Sequence, residues 1–155
     1  MKFSLKRKIS LIITIILTLG TLAFIWGSSM LPKTQSAEQS GGVFSAIKVV
    51  FDAIFGEGVI TPEIFRKLAH GTEFLILGVE LNLLLYIIGR YNYKTLCLPI
   101  ITGLLVGIID ECIQILSDRG PMVTDALIDF GGVVVASLIF FIVWIIVKKV
   151  KNKTA

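Results

Sequence analysis

The chain has 155 residues, 55% of them apolar and only 17% charged, and its mean hydropathy is +0.88. A water-soluble domain is normally about a quarter charged, so too little polar surface exists here to wrap a soluble globule, and lipid is the expected solvent. The length fits a single domain over residues 1–155, and the net charge of +4 sits in short flanks, which gives no support to nucleic-acid binding.

Four stretches are apolar over the roughly 20 residues that a helix needs to cross a bilayer. They fall at about 9–30, 65–89, 96–117 and 125–147. The fold class expected is all-α: an integral membrane four-helix bundle with an additional amphipathic interfacial helix. The apolar core of the first span, Ile9 to Trp26, is longer than a signal-peptide core, and Gly27-Ser28-Ser29 makes a weak cleavage site, so this helix is expected to be retained. Pro32 to Gly42 is rich in Ser, Gln and Gly and is expected to be an extended loop. After it, Val43, Phe44, Ile47, Val50, Phe51, Ile54 and Phe55 recur at helical spacing, while Ser45, Lys48 and Asp52 take the other face. Such a segment, about 43–55, is too short to span and suits an interfacial amphipathic helix.

Gly56-Glu57-Gly58 ends that helix, and Thr61-Pro62-Glu63 starts the next: a capping hydroxyl, a proline at the first helical position and an acid in the first turn. Between the third and fourth spans, Gly120-Pro121 marks a tight turn, and Thr124 can cap the last helix. The two cysteines, Cys97 and Cys112, both lie on the third span, ~22 Å apart along its axis. They cannot bond to each other.

Basic residues sort to three segments. Lys2, Lys6, Arg7 and Lys8 precede the first span, Arg90 and Lys94 join the second and third, and Lys148, Lys149, Lys151 and Lys153 follow the fourth. None of these segments contains an acid, so the positive-inside rule puts both termini in the cytoplasm and the 43–55 helix on the outer side.

The ionisable residues within the spans follow helical stripes. Arg66, His70, Glu73, Leu77 and Glu80 lie on one face of the second span. Gly103, Gly107, Asp110 or Glu111, Gln114 and Asp118 form a stripe on the third; Asp125, Asp129, Gly132 and Ala136 form one on the fourth. Each stripe is polar at the outer end of its helix and fades inward, which suggests one shared cavity open outward. Two small-xxx-small patterns, Gly103 to Gly107 and Gly132 to Ala136, are expected to form its floor by close helix approach. At least one carboxylate of the adjacent Asp110-Glu111 pair should either keep its proton or find a cationic partner, and Arg119 and Arg66 or Lys67 are at hand. A histidine among carboxylates suits acid–base chemistry or a divalent metal. The competing interpretation is that such groups only hydrogen-bond helices together, which fits Asn82 and Gln114 best, and Glu80 could pair across the bundle.

Two segments carry a family resemblance. Arg66-Lys67-Leu-Ala-His70-Gly-Thr-Glu73-Phe-Leu-Ile-Leu-Gly78 resembles the first signature of the VanZ-like family. Asp110-Glu111-Cys-Ile-Gln114, followed in order by Arg119, Asp125, Asp129 and Gly132, resembles the second. Ser36 to Val43 is similar to the family's Ser-rich loop, and the whole likeness runs from about Gly27 to Ala136. Departures fall at Asp129, where many members carry Asn, and at Gly71, where an aromatic is common. The resemblance implies a multi-pass protein of the bacterial cell membrane, from a family named for a member linked to resistance to teicoplanin, a glycopeptide antibiotic.

Carrying the motif over singles out His70, Glu73, Asp110 and Glu111, whose acid–base side chains make them the candidate catalytic residues. It selects Lys67, Gln114, Arg119, Asp125 and Asp129 as candidate binding residues. The expected partners are membrane lipid and, at the outer leaflet, a glycopeptide or a lipid-linked wall precursor. Enzymatic action stays open beside two alternatives: a non-catalytic binding or assembly factor, and a small transporter.

Overall fold

The structure, a computed structural model, describes the backbone of residues 4–31, 33–117 and 123–153, with side chains throughout these except at 33–40 and 55. The described residues form five helices: α1 (Leu5–Ser29), α2 (Lys33–Phe55), α3 (Pro62–Ile87), α4 (Cys97–Leu116) and α5 (Val123–Lys153). Four of them, α1, α3, α4 and α5, are long and apolar enough to cross a membrane. Their outer faces carry exposed Ile12, Leu19, Ile108, Leu138 and Ile142, side chains that water would reject and lipid accepts.

The ends of the helices follow local chemistry. Ser4 caps α1 by accepting from the Arg7 backbone N–H at 3.4 Å. Thr61 accepts from the Ile64 N–H at 3.3 Å, and Pro62 opens α3 as the sequence indicates. Gly56 and Gly58 take φ of +96° and +82° after α2, and Gly89 takes +77° after α3, a left-handed backbone that stops a helix. Two expectations need correction. The stretch expected as an extended loop is helical from Lys33 onward, so α2 starts almost three turns early; Gln35, Ala37, Glu38 and Gln39 favour helix and outweigh Gly41-Gly42. Thr124 does not precede α5 but lies inside its first turn, because the helix already begins at Val123. The Gly120-Pro121 turn lies outside the described residues.

Helices α3 and α5 share the largest interface, with α1 packed on α3 and α4 on α5. Small residues make the α3–α5 seam. A Cβ on Gly132 would stand 2.5 Å from the Gly71 carbonyl oxygen, and one on Gly78 would stand 2.7 Å from the Ala136 Cβ. Backbones therefore meet almost directly, the packing that drives association where lipid removes the hydrophobic effect. Phe74, Leu77, Val106, Val133 and Ile25 fill the core. Lower in the bundle, Asn82 donates to Ser137 Oγ at 2.9 Å and ties α3 to α5, and Thr21 donates to Glu80 at 3.0 Å and ties α1 to α3.

The Arg7 side chain donates to the Ile87 carbonyl, so the start of α1 and the end of α3 share one end of the molecule. The C-terminal part of α5 and the α3–α4 connection join them there through Tyr91, whose ring meets Phe140 and Trp144 edge-on at 5.1 and 5.5 Å. The described parts of the basic flanks gather at this end. Helix α2 belongs to the opposite one. It lays Phe44 against Phe65 of α3 at 5.5 Å, pairs Lys48 with Asp52 on its polar face, and leaves Val43, Val50 and Ile54 exposed.

Candidate functional site

Eight residues into α3, about six from the end of α4 and six from the start of α5, three ionisable side chains meet. One ligand-type atom each from His70, Asp110 and Asp129 lies within 4.8 Å of the others, and all three residues are buried. The helical stripes explain why. On α3, His70, Leu77 and Glu80 are buried along one face, with Arg66 and Glu73 partly so. On α4, Gly103, Gly107, Asp110 and Gln114 face inward, which decides between Asp110 and Glu111 in favour of Asp110. On α5, Asp125, Asp129 and Ala136 do the same.

The contacts within the cluster are specific. His70 Nδ1 stands 3.9 Å from Asp129 Oδ1. Gln114 donates from Nε2 to Asp110 Oδ2 at 2.8 Å, holding that carboxylate from one turn away on its own helix. Neither oxygen of Asp129, nor Oδ1 of Asp110, has a hydrogen-bond partner among the described residues, although both residues are 0% exposed. Glu73 and Glu111 are half-buried beside them; Glu73 lies close enough to Asp110 to repel it, and Glu111 to Asp129. Just outward, Arg66 binds Asp125 at 3.0 Å, with the carboxylate almost fully buried.

Several expectations change in detail. The polar ends do not splay into an open cavity: the described His70, Asp110 and Asp129 form a closed cluster, because Phe74 fills the space between Gly107 and Gly132 and lets the helices close. The small residues therefore lie beside the acids rather than forming a floor beneath them. Arg66 pairs with Asp125, the acid at the start of α5. Lys67 turns to Glu63 of its own helix at 2.8 Å, away from the cluster, and Arg119 lies outside the described residues. Gln114, expected to tie helices together, instead bonds a cluster carboxylate of its own helix. Arg66 and Phe74 were absent from the candidate list; the stripe from Arg66 to Glu80 signalled the first, whereas an apolar residue such as Phe74 gives no sequence sign of its place.

A family profile described as VanZ/LLP1 matches residues 11–145, which takes in His70, Asp110, Gln114 and Asp129. No curated protein and no solved structure matches the chain. With the match covering most of its length and four membrane-length helices in its fold, the chain belongs to the VanZ/LLP1 family of membrane proteins.

Proposed function

We propose that this protein acts at the outer leaflet of a bacterial cell membrane on an envelope amphiphile, such as an acylated glycopeptide or a lipid-linked wall precursor, and so contributes to glycopeptide resistance. The observation that carries this is the meeting of His70, Asp110 and Asp129 from three separate helices. Ionisable groups in a membrane interior are costly, by at least ~2.5 kcal/mol each on insertion scales, and are kept where they have work to do. Nearer the basic end, Asn82 and Glu80 bond across the bundle to Ser137 and Thr21 instead of converging from three helices. Orientation supports the outer leaflet. The cluster lies at the end away from the basic flanks, which the positive-inside rule assigns to the cytoplasm.

In the enzymatic version, His70 or Glu73 takes a proton from the attacking group, and Asp110 and Glu111 supply the acid side or ligate a metal; where His70 and Asp110 are ligands, Glu73 and Glu111 carry the proton transfers. Arg66, held by Asp125 at the cluster's outer edge, is placed to orient an anionic headgroup. A second reading is a binder that holds its partner without turnover at the partly exposed Arg66 on the cluster's outer edge. A transporter has less support, because the polar groups nearer the basic end are bonded across helices rather than lining a path.

The test is to express His70→Ala and Glu111→Gln at wild-type levels, confirm membrane insertion, and measure teicoplanin susceptibility together with the lipid and wall-precursor composition. Loss of the phenotype with an altered species marks chemistry, and loss without one marks binding. Full retention in both variants removes the proposal.

A further inference from the structure

We infer that His70, Asp110 and Asp129 bind one divalent metal ion of the zinc or manganese type. This deepens the proposed function, on whose cluster it rests, by giving that site a ligand. The geometry is close to a coordination shell. Three donor atoms no more than 4.8 Å apart leave their common centre about 2.8 Å from each, and a contraction of well under 1 Å brings them to the ~2.0–2.2 Å of zinc–nitrogen and zinc–carboxylate bonds.

The polar accounting points the same way. Asp129 is completely buried with both oxygens lacking a hydrogen-bond donor among the described residues, and one of them faces the imidazole at 3.9 Å. Buried carboxylates are ordinarily hydrogen-bonded, paired or metal-bound. Among the described residues, the basic side chains near the cluster have other partners: Arg66 is held by Asp125 and Lys67 by Glu63. Asp110 is arranged as metal-binding carboxylates are. Gln114 fixes Oδ2 at 2.8 Å and leaves Oδ1 for the ion.

Donor chemistry selects the class. One imidazole and two carboxylates, without thiolate, suit zinc or manganese over copper(I); the two cysteines are exposed elsewhere on α4. Three protein donors leave at least one coordination position for water or substrate, the arrangement of a reactive rather than a purely structural zinc. Because the donors stand on three packed helices, the site is rigid before the ion arrives.

The test uses the full-length untagged chain in nanodiscs, stripped with chelator and titrated with Zn²⁺ and with Mn²⁺. The expected result is one ion per chain. Asp129→Asn weakens binding by at least ~100-fold, Gln114→Leu by ~10–100-fold, and Asp52→Asn, a remote control on α2, leaves it unchanged. His70 is the protein's one histidine, so pulsed EPR of the Mn²⁺ form reports directly on it, with coupling to a single imidazole nitrogen expected in the wild type whether or not any variant folds. Absence of stoichiometric binding of either ion to folded wild type, absence of that coupling, or equal affinity in folded Asp129→Asn overturns the inference. Metal binding with unchanged susceptibility and envelope composition in the His70 and Glu111 variants would instead count against the proposed function alone.

Discussion

Arg66 and Asp125 show how strongly a membrane interior couples two residues. The guanidinium keeps a quarter of its side chain exposed while the carboxylate is 2% exposed, so the acid depends on its partner. Arg66→Met leaves a buried charge uncompensated and should cost about 3–5 kcal/mol. Adding Asp125→Asn should recover part of that loss, and equilibrium unfolding in detergent of both variants measures the difference. Tyr91 presents the opposite case. It lies in the α3–α4 connection, and burial raises its phenol above its ordinary pKa of 10.0. The folded state thus holds this proton more tightly than the unfolded chain does. Its contribution to stability is complete below about pH 10 and is lost as the pH climbs through the raised value. Its hydroxyl also lacks a hydrogen-bond partner among the described residues. Tyr91→Phe should therefore be neutral or stabilising by up to about 1 kcal/mol at pH 7. It should also unfold less readily than wild type at alkaline pH, which thermal unfolding at the two pH values would reveal.

Between elements, glycine decides how near the helices come, and not every glycine matters equally. Gly132 is hemmed by backbone: its added Cβ would meet the Gly71 oxygen at 2.5 Å and the Leu75 nitrogen at 3.0 Å, neither of which can turn aside. Gly107 would place a Cβ 3.5 Å from Phe74 and 3.6 Å from the Asp129 Cβ, ordinary contact distances. Gly132→Ala should thus destabilise by about 1–3 kcal/mol and draw Asp129 away from His70, while Gly107→Ala should be near neutral. Unfolding measurements on the pair check this, and equal costs would contradict the assignment. Gly71 belongs to the same seam. Its own added Cβ would lie 3.2 Å from an Ile128 methyl, so an aromatic there requires α5 to sit differently.

For the molecule as a whole, topology carries the functional reading. Single cysteines placed at Lys6 and Lys151, in a background with Cys97 and Cys112 replaced, should react with impermeant reagent only after the membrane is opened, whereas one at Glu57 should react in intact cells. Reaction of all three from outside would remove the outer-leaflet proposal. The number of spanning helices, the start at Thr61-Pro62-Glu63 and the stripes of ionisable residues could all be read from the chain, because each depends on apolar length, local capping or helical period. The helix over Lys33–Gly42 was hidden because weak polar helix formers compete there with two glycines. The sequence by itself determined that His70, an acid on α4 and Asp129 each face away from lipid. Only the tertiary structure decided that Asp110 rather than Glu111 joins them, that Arg66 serves Asp125, and that the cluster is closed. Those outcomes turn on how deeply α3 and α5 interlock at Gly71, Gly78 and Gly132 and on Phe74 filling the gap that remains, and distances between helices are set by such contacts rather than by any pattern along one of them.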